Sequence, residues 1–87
     1  MPTVFIPSLL RPLADDLAEV SVSGSNVRAV INSLIERFPK LADRLLENGQ
    51  LRGNLSIAID GEISTMGMLD DVDEDSEVHF LAAISGG

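Results

Sequence analysis

Two stretches near the start of the chain have a hydrophobic pattern that predicts β-strands. Thr3 to Ile6 is a short run of β-branched and aromatic residues that stops at Pro7. Residues 17–23 alternate, with the polar side chains of Glu19, Ser21 and Ser23 on one face and the apolar side chains of Ala18, Val20 and Val22 on the other. This period of two is typical of a strand with one buried face.

The spacing changes after Ser25 and predicts a long amphipathic helix. Asn26 is a good N-cap because its side chain can accept a hydrogen bond from an otherwise unpaired backbone N–H. The apolar residues then recur on one helical face as Val27, Val30, Ile31, Leu34, Ile35 and Phe38. Pro39 is expected to end this helix. Leu41, Leu45 and Leu46 predict a short second helix, for which Asn48-Gly49 is the expected stop signal.

The last third of the chain again alternates and predicts three strands. Residues 55–59 lead through the tight-turn pair Asp60-Gly61 into Glu62-Ile63, which favours a hairpin. Residues 77–84 predict the last strand, with Val78, Phe80, Ala82 and Ile84 on one face and His79, Leu81 and Ala83 on the other. The order β-β-α-(α)-β-β-β predicts an α+β fold in which the long helix lies across one face of a mixed sheet.

Composition narrows the classes of protein to which the chain can belong. Eighty-seven residues that are 45% apolar make one domain, residues 1–87, with enough apolar material to fold alone. The chain has no cysteine and a single histidine, which excludes disulfides, thiolate metal sites and histidine clusters. The net charge of −8 argues against nucleic acid and anionic membranes as partners. No segment resembles a signal peptide or a membrane span, so we expect a cytoplasmic protein.

The negative charge is concentrated just before the last strand. Six of eight consecutive residues are acidic and none is basic: Asp70, Asp71, Asp73, Glu74, Asp75 and Glu77. One interpretation is a solvated loop. Another is an acidic face that steers the chain to a basic partner, because charge complementarity raises association rates more than final affinity. Calcium binding is a weak third interpretation, since the ligand spacing of an EF-hand is absent.

The chain ends Ile84-Ser85-Gly86-Gly87 directly after a predicted strand. With the element order, this ending resembles the ubiquitin-like sulfur carriers, the family of the thiamine carrier ThiS and the molybdopterin synthase small subunit MoaD. Three segments carry the resemblance over essentially the whole chain: Asn26-Val27 with the helix to Phe38-Pro39, the turn Ile59-Asp60-Gly61-Glu62, and Asp75-Ser76-Glu77-Val78 with the strand to Gly86-Gly87.

Some positions bear on the branch of the family. Ser76 stands where the family usually has glycine, and Ala82-Ala83 stands where prolines are frequent, which weakens the match to the molybdopterin branch. Residues 6–12, Ile-Pro-Ser-Leu-Leu-Arg-Pro, and Leu51-Arg52-Gly53 look more like the cysteine-biosynthesis carriers of the family.

The resemblance implies a β-grasp, ubiquitin-like fold and a specific use of the terminus. In the family, an E1-like enzyme uses ATP to adenylate the C-terminal glycine, here Gly87, and a sulfur donor then displaces AMP to leave a thiocarboxylate. Ser85 and Gly86 would belong to the flexible tail that ends at Gly87. Gly86 and Gly87 lack a Cβ, so the tail could pass through a narrow channel. The implied protein is a carrier acted on by enzymes, binds no cofactor itself, and is expected to be a monomer when free.

The same resemblance implies two partners, the E1-like enzyme and a downstream sulfur-accepting synthase, and the residue pattern offers candidate docking contacts for them. Leu81 and His79 are predicted on the strand face opposite Phe80, where an exposed leucine would be a natural contact. Asp73, Glu74 and Asp75 are the candidate acidic contacts. Simpler interpretations also exist: Leu81 can be covered by its neighbours, and His79 can be an ordinary surface residue.

Three other functions are alternatives to the carrier hypothesis. A β-grasp interaction module would bind through its sheet and never have its terminus activated. An acidic acyl-carrier protein would require a helical bundle and a modified serine, against which the alternating strands argue. An autonomous enzyme is disfavoured because no histidine, lysine and carboxylate are spaced to hold a nucleophile and a base together.

Overall fold

A mixed β-sheet brings the first and last strands of the chain side by side in this computed structural model, which describes residues 1–53 and 55–82. The strands are β1 (Thr3–Phe5), β2 (Glu19–Ser21), β3 (Leu46–Glu47), β4 (Gln50–Leu51), β5 (Leu55–Ile59), β6 (Glu62–Ile63) and β7 (Glu77–Ala82). The helices are α1 (Val27–Arg37) and α2 (Ala42–Leu45), and short 3-10 turns span Ser8–Leu13, Pro39–Leu41 and Gly67–Leu69.

The sheet has the strand order β2-β1-β7-β5-β6, so β7 lies at its centre. β7 runs parallel to β1 and antiparallel to β5, while the outer pairs β1–β2 and β5–β6 are antiparallel hairpin neighbours. The predicted α+β class with a mixed sheet is confirmed, and the arrangement is that of a β-grasp fold.

Helix α1 begins and ends where the sequence predicts. The Asn26 side chain accepts a hydrogen bond from the backbone N–H of Ala29 at 2.8 Å, and the helix ends one residue before Phe38, whose N–H donates to the Leu34 carbonyl. Gly24 lets the helix start close to the preceding loop: its φ is 153°, and a Cβ there would lie 2.7 Å from the Val30 backbone nitrogen. Only glycine fits this approach without displacing the helix.

The core forms between α1 and one face of the sheet. The helix contributes Val27, Val30, Ile31 and Leu34, and the strands contribute Val4, Val20, Ile57, Val78 and Phe80, all of them buried. No helix in the part of the chain that the structure describes has the length and apolar character to cross a membrane.

One local prediction is wrong. Asn48-Gly49 does not stop a helix; it is the two-residue turn of the small hairpin β3–β4, and Leu46, predicted in the second helix, begins that hairpin. Both turn residues have positive φ, 55° and 78°, as a type I′ hairpin turn requires, and Asn-Gly serves that turn as well as it ends a helix. In the first hairpin, β2 is shorter than predicted and Ala18 is exposed.

Candidate functional site

The candidate site consists of the outer face of β7 and the acidic loop before it, which we define as the acidic segment, residues 70–77. Ser85, Gly86 and Gly87, the predicted tail and attachment site, lie outside the described residues. β7 lies at the centre of the sheet, and its last described residue, Ala82, pairs with Leu55 of β5, which fixes the position from which residues 83–87 continue.

The sheet face opposite α1 carries a row of cross-strand neighbours centred on β7. In order across the sheet these are Glu19, Phe5, His79, Ala58 and Ile63. The His79 ring stacks on the Phe5 ring, with centroids 4.3 Å apart and planes inclined by 3°. The face therefore has an aromatic centre rather than isolated polar residues.

His79 and Leu81 lie together on this face, as predicted from the alternation of the strand. Leu81 is 40% exposed and pairs with Ser56, while Phe80 between them is buried. The His79 Nε2 atom lies 3.8 Å from a Glu77 carboxylate oxygen, which forms an ion pair when the imidazole is protonated. An accessible leucine beside a stacked aromatic pair can bind an apolar partner surface.

The acidic segment is folded rather than a freely solvated loop. Val72 in its middle is buried, and its backbone N–H donates to the Ser25 carbonyl. Asp71 forms a β-bridge with Asn26, and the Asp70 carbonyl accepts from the Val27 N–H. These bonds attach the segment to the start of α1. The carboxylate of Asp70 also accepts bonds from the Ser64 hydroxyl and the Met66 N–H.

Asp60, in the turn between β5 and β6, organises the other end of the segment. One of its carboxylate oxygens accepts from the Glu77 N–H at 2.9 Å, and the other accepts from the Ser76 hydroxyl at 2.9 Å. The Ser76 oxygen in turn accepts from the Asp73 N–H at 3.0 Å. Ser76 is 2% exposed, so its hydroxyl is satisfied in both directions inside the protein. In the sequence, the Asp60-Gly61 pair predicts a tight turn. It does not predict that the Asp60 carboxylate accepts hydrogen bonds from Ser76 and Glu77.

Removing the Asp60 carboxylate should destabilise the fold. We expect Asp60→Ala to lower the free energy of unfolding by about 1–3 kcal/mol, because the Glu77 N–H and the Ser76 hydroxyl each lose an acceptor. Urea denaturation followed by circular dichroism measures this. Glu62→Ala is the matched control, since Glu62 is an exposed carboxylate two residues away. A loss equal to that of Glu62→Ala would contradict the assigned role.

The remaining carboxylates of the segment face solvent. Asp73, Glu74, Asp75 and Glu77 are exposed, and a shallow pocket beside them of about 470 Å³ is lined by further carboxylates, including Asp60, Glu62 and Asp71. Within residues 1–53 and 55–82, no three histidine or acidic side chains are arranged to hold a metal ion. The described segment thus presents a fixed array of negative charge next to the outer face of β7.

Comparison with known proteins decides the family. The ThiS family model matches residues 4–87, which include all of the sheet except Thr3, the acidic segment and the predicted tail. The chain belongs to the ThiS family.

Individual relatives of this ThiS-family chain agree with that assignment. Sulfur carrier protein CysO of Mycobacterium tuberculosis is 30% identical over 90 residues, covering 98% of this chain and 97% of the relative. The crystal structure of that organism's CysO has a TM-score of 0.88 at 28% identity, covering 97% of this chain and 100% of CysO. Small archaeal modifier protein 1 of Methanosarcina acetivorans has a TM-score of 0.84 at 27% identity, covering 99% of this chain and 95% of the modifier protein.

The Amycolatopsis orientalis BexX/CysO complex contains a chain with a TM-score of 0.90 at 24% identity, with both chains fully covered. This likeness shows the fold. The predicted ubiquitin-like β-grasp fold and the resemblance to the sulfur carriers are therefore confirmed. The named relatives are a sulfur carrier protein and a small modifier protein.

For the ThiS-family chain, the acidic segment yields a prediction about kinetics. If Asp73, Glu74 and Asp75 steer the chain to a basic surface of a protein partner, association should slow as ionic strength rises, while dissociation changes little. The triple variant Asp73→Asn, Glu74→Gln, Asp75→Asn should flatten that dependence, because it removes three exposed charges and leaves the Asp60 network in place. Stopped-flow or surface-based kinetics at several salt concentrations measure it.

The matched control neutralises carboxylates away from the segment, with Asp15→Asn, Asp16→Asn and Glu36→Gln, all of which are exposed. Equal salt slopes in the wild type and the segment variant would show that these residues do not steer association. Equal flattening in both variants would assign the effect to net charge alone.

Proposed function

We propose that the chain is a sulfur carrier whose Gly87 carboxylate is adenylated by an E1-like enzyme and converted to a thiocarboxylate that donates sulfur in biosynthesis. The observation that carries the proposal is the ThiS-family match, which extends over residues 4–87 and so includes the terminal Gly-Gly. The sulfur carrier CysO, similar over nearly its full length, supports the same function.

The chemistry explains why activation is needed. A carboxylate is resonance-stabilised and a poor electrophile. A Gly87 carboxylate oxygen attacks the α-phosphorus of ATP, which forms the acyl adenylate and releases pyrophosphate. Hydrosulfide or an equivalent sulfur nucleophile then attacks the acyl carbon, and the C–O bond to AMP breaks. The products are the thiocarboxylate, AMP and a proton, with ATP as the co-substrate of the partner enzyme.

The carrier contributes position rather than catalysis. β7 is fixed between β1 and β5, and residues 83–87 continue from its end. Ser85 to Gly87 can reach about 10 Å when extended at about 3.3 Å per residue, enough to enter a site on another protein. Gly86 and Gly87 leave the reacting carbonyl unhindered. The chain has no cysteine that could attack the activated terminus, and Lys40 is its only lysine.

The proposed partners are the E1-like enzyme and a sulfur-accepting synthase. Leu81 and His79 on the outer face of β7 would supply apolar and aromatic contacts, and Asp73, Glu74 and Asp75 would meet a basic surface. That the A. orientalis relative of like fold forms a complex with BexX supports a protein partner. The cysteine-biosynthesis branch is favoured by residues 6–12 and by the similarity to CysO; thiamine or molybdopterin synthesis are the other destinations.

A second candidate is a β-grasp interaction module that uses the sheet face alone. The exposed Leu81 and the Phe5–His79 stack favour it, because neither needs the terminus in order to bind. This function predicts that blocking Gly87 changes nothing. The deciding experiment is therefore the intact mass of the chain after incubation with an E1-like enzyme, ATP and sulfide, with the added mass located by fragmentation.

A further inference from the structure

A groove of about 500 Å³ opens at the end of the sheet where β7 ends. Its apolar lining comes from Pro7, Leu9, Leu10 and Leu55, and its basic lining comes from Arg44 and Arg52. Leu55 is the cross-strand partner of Ala82, the last described residue of β7. The groove therefore lies beside the point from which residues 83–87 continue.

The apolar rim of the groove is held in an ordered segment. Leu9 is 89% exposed, the highest value among the large apolar residues that the structure describes. It lies in the 3-10 turn Ser8–Leu13, which Pro7 precedes and Pro12 stiffens. The Arg11 Nε–H donates to the Ile6 carbonyl at 3.0 Å and fixes the start of this turn. The fold thus holds Leu9 in solvent, which is unfavourable because apolar surface is exposed to water. A partner that covers Leu9 would remove this free-energy cost.

The charge of the groove is opposite to that of the acidic segment. Arg52 donates through Nε to the Asp43 backbone carbonyl at 2.7 Å, which fixes the side chain. Neither Arg44 nor Arg52 forms an ion pair with a carboxylate of the described residues. Among the described residues that line the groove, Asp43 is the one acid, so these residues carry a net positive charge in a chain of net charge −8. β7 therefore begins next to carboxylates and ends next to arginines.

We propose that this groove seats an acidic and apolar segment of the activating enzyme at the entrance to the site that receives the tail. The inference rests on the proposed function. Leu9 supplies the apolar contact, and Arg44 and Arg52 bind carboxylates, for which the guanidinium geometry is suited. The negative charge elsewhere on the carrier repels an acidic partner segment, so such a segment binds preferentially at the groove. The two oppositely charged ends of β7 then fix one orientation for entry of residues 83–87.

The test compares two charge-reversal variants of equal net charge. The groove variant carries Arg44→Glu and Arg52→Glu. The helix variant carries Arg28→Glu and Arg37→Glu at exposed positions on α1. Each of these changes lowers the net charge by two, so both variants go from −8 to −12. We expect the groove variant to raise the Kd for the activating enzyme, and the KM for the carrier in AMP release, by about tenfold or more. The helix variant should stay within about twofold of wild type at physiological salt.

A second pair of variants tests the apolar contact. Leu9→Ser should raise Kd and KM several-fold, whereas Leu69→Ser, which alters a leucine that is 69% exposed and lies outside the groove, should not. Thermal unfolding of all four proteins verifies that they are folded. Equal effects of the two charge-reversal variants, or no effect of any groove variant on Kd or KM, would overturn the inference.

Two other occupants would also overturn it. If the groove variant shifts the NMR signals of Gly86 and Gly87 in the isolated carrier, the occupant is the chain's own tail. If Leu9→Ser converts a wild-type dimer to a monomer in sedimentation, the occupant is a second copy. Failure of the proposed function is distinguishable from these results, because in that case the wild type itself forms no adenylate and no thiocarboxylate.

Discussion

The wild-type chain incubated with its E1-like enzyme, ATP and sulfide is expected to gain the mass difference between one sulfur and one oxygen atom, located on Gly87. We expect complete dependence on ATP, because displacement at an unactivated carboxylate has no adequate leaving group. Intact-mass spectrometry with fragmentation of the C-terminal peptide measures the change. The effect is all or none for each molecule, which makes it the largest predicted here.

Two variants control for the position of the terminus. Deleting Gly87, or adding one residue after it, should abolish the mass shift and leave the thermal transition unchanged, because the described core cluster contains no residue beyond Phe80. A variant that still gains the mass would place the reaction elsewhere on the chain. A wild-type protein that never gains it would favour the interaction module.

A confirmed shift would leave the destination of the sulfur to be measured. Incubating the thiocarboxylate form with candidate acceptor enzymes distinguishes a cysteine-synthase type from a thiazole or molybdopterin synthase. We expect discharge by the cysteine-synthase type, on the similarity to CysO and on residues 6–12. Discharge by a molybdopterin-type partner alone would show that these residues do not mark the branch.

Phe80→Ala is expected to lower the free energy of unfolding by about 3–5 kcal/mol, a large part of the stability of so small a domain. Phe80 is 5% exposed and lies opposite Ile57 on the central pair of strands, so the truncation leaves a cavity under α1. Chemical denaturation measures the loss. If the variant does not fold at all, Phe80→Leu, which retains most of the volume, provides a smaller and measurable loss.

Leu81→Glu is the matched substitution on the other face of the same strand. We expect it to weaken binding of the activating enzyme while the thermal transition stays nearly unchanged, because a side chain that is 40% exposed tolerates a carboxylate. The opposite pair of results, with Leu81→Glu unfolded and Phe80→Ala stable, would invert the two faces of β7.

Long patterns were predictable from the sequence because their physical cause is local. The period of α1 and the N-cap at Asn26 both depend on residues within a few positions of one another, and the structure has them within one residue of the prediction. The alternation in β7 likewise identifies which face is buried at Val78 and Phe80. The arrangement of strands came from resemblance to a family as much as from the pattern.

What the sequence did not reveal depends on contacts between distant positions. Asn48-Gly49 suits both a helix end and a hairpin turn, and the pairing of Leu46 with Leu51 decides between them. In the sequence, Ser76 is notable only because the family usually has glycine there. The structure gives the serine a role, because its hydroxyl donates to the carboxylate of Asp60, sixteen residues earlier. The groove of Leu9, Arg44 and Arg52 joins three separate segments and has no signal in any one of them.

The central position of β7 has a mechanical consequence. A partner that holds residues 83–87 in a narrow channel pulls along the axis of this strand. β7 is paired with β5 from Leu55–Ala82 to Ile59–Val78 and with β1 along its first half. A force along the strand therefore acts on the hydrogen bonds of both pairings at once, and these bonds must break together rather than one at a time. Withdrawal of the tail from a tight site would therefore release the carrier in its folded state, so that it can be loaded again, rather than unfold it from the C-terminus.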